Sequence, residues 1–248
     1  VLQHFRILAE FQGLIKFMNP PERIVLFDLL EAVGAEQNLA FLLRCLQLDD
    51  SRIRIRVLKI LGDNPTLGLR PEVFEFLTDT DEQMLLAALR YLQKKGDLSI
   101  LERITHLARS KKKKVRQGVI STMFKIMKDN LLKRFDQFGP ARRLKILKSL
   151  LKMKPNFFED LQYLSESPQE KDRIKYIKML EARPLQEALA DYRRLARDPN
   201  PRVRAAALMG FARIQDPEMR FKLIRPFFND PDDRVRANAV DLLPDHKP

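Results

Sequence analysis

The sequence predicts an all-α chain, a right-handed α-solenoid (superhelix) of about eight helical pairs that occupies residues 1–248 as a single domain. Three observations carry this. Only eight glycines occur and no Asn-Gly or Asp-Gly turn, so hairpins lack their usual turn chemistry. Apolar residues recur at spacings of three and four almost throughout, the period of one helical face. A signature, finally, returns about every thirty residues, and a period of that size marks a stacked array.

The best copies of the signature stand near the C-terminal end, Asp198-Pro-Asn-Pro-Arg-Val203-Arg204-Ala-Ala-Ala207 and Asp230-Pro-Asp-Asp-Arg-Val235-Arg236-Ala-Asn-Ala239, 32 residues apart. Upstream copies start at Ile53 (with Val57 and Leu61), Met84 (with Ala88 and Leu92) and Val115 (with Val119 and Met123). Fainter ones start at Val25, Leu144 and Ile174, so the starts fall at 25, 53, 84, 115, 144, 174, 203 and 235. Each start opens the second helix of a pair. The first helices are then Val1–Met18, Glu36–Leu48, Pro71–Leu77, Leu98–Arg109, Asn130–Phe138, Phe157–Ser165, Leu185–Arg197 and Pro217–Phe228. Pro71, Pro184 and Pro217 suit a first helical turn, whose N–H has no partner to lose. Asp79, Ser110, Asp198 and Asp230 sit in the turns, where short polar side chains cap free backbone donors.

On these residues the sequence resembles HEAT repeats, in particular the short bacterial kind also found in phycobilisome lyases. The resemblance is most specific at 198–207 and 230–239. It implies a ladder in which the turn aspartate and the arginine after the valine join neighbouring repeats, Asp198 with Arg204 and Asp230 with Arg236. Met84-Leu85 lacks the arginine, so the ladder is expected to break there. One helical pair cannot bury its own apolar face, which makes the stack the core and leaves function to exposed faces.

Composition excludes several classes. The best apolar run, Phe5 to Met18, is interrupted by Arg6, Glu10 and Lys16 and is too short for the roughly 20 residues of a membrane span. The start at Val1 and the end at Pro248 suggest a piece of a longer protein, and the strongly apolar Val1–Met18 reads either as a docking surface or as a cap on the first pair. The expected setting is the cytoplasm, either alone or as the soluble domain of a larger or membrane-anchored protein. The one cysteine, Cys45, lies on an apolar helical face and reads as core.

No constellation for catalysis is present, so no enzyme is expected. His4, His106 and His246 are scattered, with no spacing that places two metal ligands on one helical face. No metal and no cofactor is therefore expected. The iron-dependent hydroxylases built on HEAT repeats carry paired His-Glu motifs that this chain lacks. The HEAT-like alkylpurine DNA glycosylases lean on tryptophan, and none occurs here. Acidic clusters such as Asp49-Asp50 and Asp230–Asp233 fall in turns, where capping explains them.

Charge is the informative feature. The chain carries a net +13, and residues 101–155 hold seventeen Lys or Arg against Glu102, Asp129 and Asp136, which leaves the rest of the chain close to neutral. Lys111, Lys112, Lys113 and Lys114 fall in the turn of the fourth pair, while Arg142, Arg143, Lys145, Lys148 and Lys152 populate the second helix of the fifth. These nine residues are the candidate site for an anionic partner, because like charges this dense repel unless something offsets them. Phe124, Phe135, Phe138, Phe157 and Phe158 interleave with them, and their positions fit apolar helix faces better than a base-stacking groove. The expectation is a noncatalytic scaffold for a protein partner. A solenoid that binds nucleic acid without reading its sequence is the alternative, an anionic membrane surface is a further one, and no small-molecule substrate is expected.

Overall fold

A computed structural model of the chain describes Ile7 and residues 9–243, and among these residues every regular element is helical. His4, His246 and most of the apolar stretch Val1–Leu8 lie outside the described residues. The fold is all-α, built of stacked helical pairs as expected. The chain divides into two compact units, Val1–Asn130 and Leu131–Pro248.

In the first unit the 3-10 helix Ala9–Phe17 is followed by α1 (Pro20–Val33) and packs against α2 (Leu39–Cys45), α2 pairs with α3 (Ser51–Asp63), and the 3-10 helix Pro71–Thr78 with α4 (Glu82–Lys95). α5 (Leu101–Thr105), flanked by 3-10 turns, pairs with α6 (Lys113–Lys133), whose last residues from Leu131 belong to the second unit. The second unit continues with α7 (Pro140–Met153) and α8 (Gln162–Ser165), which is followed by α9 (Glu170–Met179). It closes with α10 (Leu185–Leu195) against α11 (Pro201–Met209), and with α12 (Pro217–Ile224), whose following 3-10 turn Arg225–Asn229 packs against α13 (Asp233–Asp241).

The strong repeat starts are where the core is. Ile53, Val57, Leu61, Met84, Ala88, Leu92, Val115, Val119, Val203, Ala207, Val235 and Ala239 are all buried, since positions four apart on a helix present one face to the neighbouring repeat. The faint starts are out of phase. Val25 is two-thirds exposed while Phe27 and Leu30 turn inward, and Lys148 and Lys178, which follow the starts at Leu144 and Ile174, are exposed. The separate helix expected at Asn130–Phe138 does not form, because α6 runs on to Lys133 and only the 3-10 turn Phe135–Gln137 follows. No proline or glycine interrupts 119–138, and Lys125 pairs with Asp129 at 3.0 Å one turn on, so nothing stops the helix there.

The turns use side chains as backbone mimics. Asp79, Asp198 and Asp230 each accept the N–H two residues on, and Ser110 Oγ accepts that of Lys112, so each turn aspartate or serine organises the approach to the next helix. The caps proper follow two residues later, with Asp81, Asn200 and Asp232 accepting from the first helical turn. Asn19 and Glu22 form a reciprocal capping box on α1, and Gly34, at φ 101°, ends that helix in a conformation that side chains avoid. Gly210 is required for a different reason, since a Cβ there would stand 2.3 Å from the ring of Tyr192.

The arginine ladder forms with a pairing different from the expected one. Arg204 grips the carboxylate of Asp230 in the next repeat, Nε to Oδ2 at 2.9 Å and Nη2 to Oδ1 at 2.7 Å, while its Nη1 donates to the carbonyl of Asp198 at 3.0 Å. Arg173 does the same with the carboxylate of Asp198 and the carbonyl of Ser167. The aspartate of an arginine's own turn thus supplies a backbone oxygen, and its side chain is taken by the preceding repeat. Arg236 accordingly binds the Asp230 carbonyl at 2.7 Å rather than its carboxylate. The ladder breaks at Leu85, as expected, since that buried side chain carries no donor to pass on.

Candidate anionic-partner surface

Residues 101–155 span parts of both units, with Lys111–Lys114 in the first and Arg142–Lys152 in the second. The first cluster is not wholly in the turn. Lys111 and Lys112 are, but Lys113 and Lys114 are the first residues of α6, because Arg116 Nη1 takes the carbonyls of Ser110 and Lys111 at 2.6 and 2.9 Å and draws the turn tight. All four are exposed. Lys112 Nζ donates to the carbonyl of Thr80 at 2.6 Å, and Lys114 lies 4.0 Å from the carboxylate of Glu82. Cations in a first helical turn oppose the helix dipole, so this end of α6 is electrostatically unfavourable without an anion nearby.

The second cluster lies on α7. Arg142 stacks over Phe138 with its guanidinium carbon 4.8 Å from the ring centre, and Arg143 over Phe135 at 4.6 Å. Both rings are buried, so the two arginines cover the apolar loop that leads into α7, and their positions are set by packing as well as charge. Lys145, Lys148 and Lys152 follow at spacings of three and four and are exposed on one side of the helix. Among the described residues none of the three has a carboxylate partner. Phe157 and Phe158 are also buried, so four of the five phenylalanines are core and offer no stacking platform, while Phe124 is half-buried.

Outside the segment a larger share of the cations is in ion pairs than within it. Arg56 meets Asp28 and Glu31, Lys59 meets Glu31 at 2.9 Å, and Arg202 meets Glu170 at 2.8 Å. The candidate site therefore differs from the remaining surface in pairing as well as in composition.

Chemistry is sparse. Cys45 is fully buried and burial pushes its thiol up to about 12. Among the described residues no group of His, Cys, Asp and Glu is placed to hold a metal ion, and His106 is exposed and isolated. A polar knot that the sequence did not disclose joins Tyr176, Asp191 and Arg183. The tyrosine hydroxyl donates to Asp191 Oδ2 at 3.1 Å, and Arg183 reaches the same oxygen at 3.2 Å. Burial, then the neighbouring Asp191 carboxylate, raise the Tyr176 hydroxyl well above its ordinary value and keep it a proton donor. No sequence signal marks this trio, because its members come from α9, the residue stretch before α10, and α10 itself. Among the described residues no helix is long and apolar enough to cross a membrane.

A search of curated proteins finds no match. A crystal structure of an engineered protein from the Northeast Structural Genomics Consortium aligns at 16% identity, covering 82% of this chain and 93% of that one, with a TM-score of 0.31. The family model for HEAT repeats matches residues 161–244, the stretch that holds the Arg173–Asp198 and Arg204–Asp230 rungs. Over residues 161–244 the chain is thus similar to HEAT repeats, and the recurring buried positions and the rungs between neighbours there agree with that match.

Proposed function

We propose that the chain is a noncatalytic scaffold that holds an anionic protein segment on the basic face of α7, within residues 101–155. HEAT repeats generally serve as interaction scaffolds, which gives the class of activity. The observation that supports this site is the row of exposed Lys145, Lys148 and Lys152 on α7, which among the described residues have no carboxylate partner. An acidic segment laid along α7 supplies the missing counter-charges, and Arg142 and Arg143, held on phenyl rings, add donors with little orientational freedom left to lose. The buried phenylalanines favour an acidic peptide over single-stranded nucleic acid, which binds by stacking on exposed rings.

The test uses fluorescent polyglutamate and a DNA duplex as separate probes of the purified chain. Changing Lys145, Lys148 and Lys152 together to glutamate is expected to weaken polyglutamate binding more than tenfold, and Arg193→Glu, on the exposed side of α10, to change it little. Changing Lys111–Lys114 to glutamate reads the share of the first cluster. Duplex binding with a log–log salt slope of about −4 to −5, the mark of four to six phosphate contacts, establishes the nucleic-acid alternative instead. Equal binding of probe by the α7 variant and the parent at low salt overturns the site.

A further inference from the structure

A second seat is built on the first unit. Two hollows of about 440 and 340 Å³ lie side by side, one between α3 and α4 and the other between α4 and α6. They share Arg90 and Gln93 of α4, which form the ridge between them. The linings are largely aliphatic. Gly62 and Ala87 line the first hollow, and Gly118, which lets α6 pack close to Leu86 and Leu89, lines the second. Gln93 is pinned across the second hollow, its amide donating to Ser121 Oγ at 3.0 Å, and Thr122 donates to the Leu89 carbonyl, so both walls are fixed.

The charges on the rim are unequal. Lys59 is paired with Glu31 and Lys94 with Asp63, and Lys114 faces Glu82. Arg90 is exposed, and among the described residues it has no carboxylate partner. One open guanidinium among lysines already neutralised by carboxylates suits a single acidic side chain, which it can grip with two N–H bonds. Tyr91, the aromatic residue of the lining, is 2% exposed, so no ring is offered to a base.

Spacing narrows the partner further. Packed helices lie about 8–10 Å apart, so the two inter-helix hollows are separated by about that distance. A polyproline II chain repeats on one face every three residues, about 9 Å, whereas a β-strand places same-face side chains about 7 Å apart. We propose that α3, α4 and α6 seat an extended polyproline II peptide that drops aliphatic side chains three residues apart into the two hollows and sets an acidic side chain between them on Arg90. This seat shares only Lys114 with the basic-segment reading and stands or falls without it.

The experiment titrates the full chain with a fluorescent proline-based peptide that carries two leucines three residues apart and a glutamate between them. Saturable binding is expected, with about a tenfold or greater loss for Arg90→Ala and for the peptide whose glutamate is replaced by lysine. Moving the leucines to two residues apart is expected to cost a similar factor. The glutamate triple variant of α7 is expected to bind this peptide as the parent does, whatever it does to polyglutamate. Circular dichroism confirms that Arg90→Ala, a surface change, keeps its helix content. Absence of saturable binding up to about 1 mM, equal binding by Arg90→Ala, or displacement of the peptide by an equimolar single-stranded oligonucleotide overturns the seat.

Discussion

Arg204 and Asp230 meet through two parallel hydrogen bonds of 2.9 and 2.7 Å, both side chains largely withdrawn from solvent, and the pair clamps α11 to the turn before α13. Truncating the arginine leaves the carboxylate in a poorly hydrated place and frees the carbonyls of Asp198 and Pro199. Arg204→Ala is expected to lower stability by about 2–4 kcal/mol, measured by urea unfolding followed by circular dichroism. Arg103→Ala, whose guanidinium lies exposed over Phe74 at 4.4 Å, is expected to cost no more than about 1 kcal/mol. Equal losses at the two sites would show that the rung contributes nothing special.

The same rung sets a pH dependence. The Arg204 guanidinium, with help from the Asp232 N–H, holds the Asp230 carboxyl below its ordinary value. A carboxyl whose folded value is depressed contributes stability above its unfolded value of about 3.9, and that stability is lost as pH falls through the folded value. Acid unfolding below about pH 4 is therefore expected to be shallower in Asp230→Asn than in the parent, although the variant is less stable at pH 7. Parallel curves would rule out this carboxyl as a source of the acid sensitivity.

Cys45 is a probe of opening. With its thiol pushed up to about 12, about one molecule in ten thousand is ionised at pH 8, and the sulfur is out of reach of reagents. Labelling by a charged disulfide reagent is expected to follow the rate or population of unfolding of the first unit, and to accelerate with urea. Fast stoichiometric labelling of the native chain would contradict the burial.

Gly210 is closed to any side chain by Tyr192, whose ring carbons stand 2.3 to 2.6 Å from the place a Cβ would occupy. Gly210→Ala is expected to cost about 1–3 kcal/mol through displacement of that ring. Gly139→Ala, with nothing within 4 Å and an ordinary φ of −62°, is expected to stay within about 0.5 kcal/mol. Thermal unfolding of the two variants side by side decides it.

Legibility tracked the strength of the local pattern. Where small or aliphatic residues stand at intervals of four, as at Val203–Ala207 or Met84–Ala88–Leu92, the predicted phase coincides with the buried face. At Val25 and Ile174 the apolar residues are dense enough to fit two phases, and the inward one is decided by Arg23 and Arg173, which reach Asp50 and Asp198 in the next repeats. The helix expected at Asn130–Phe138 fails for a related reason: its apolar residues are real, but Leu131 is buried as the continuation of α6.

The sequence by itself determined the helical class, the thirty-residue period and the concentration of positive charge in residues 101–155, because helical periodicity and net charge are sums over near neighbours. Tertiary structure alone decided which carboxylate each arginine takes, that Arg142 and Arg143 lie on phenyl rings while Lys145, Lys148 and Lys152 stay unpaired, and that Arg90 crowns a ridge between two hollows. Those relationships join residues of different helices, commonly 25 to 33 positions apart across a repeat, as with Arg173 and Asp198 or Thr122 and Leu89. Their partners are chosen by how one helix settles against the next, a matter of a few ångströms of packing that no local pattern encodes.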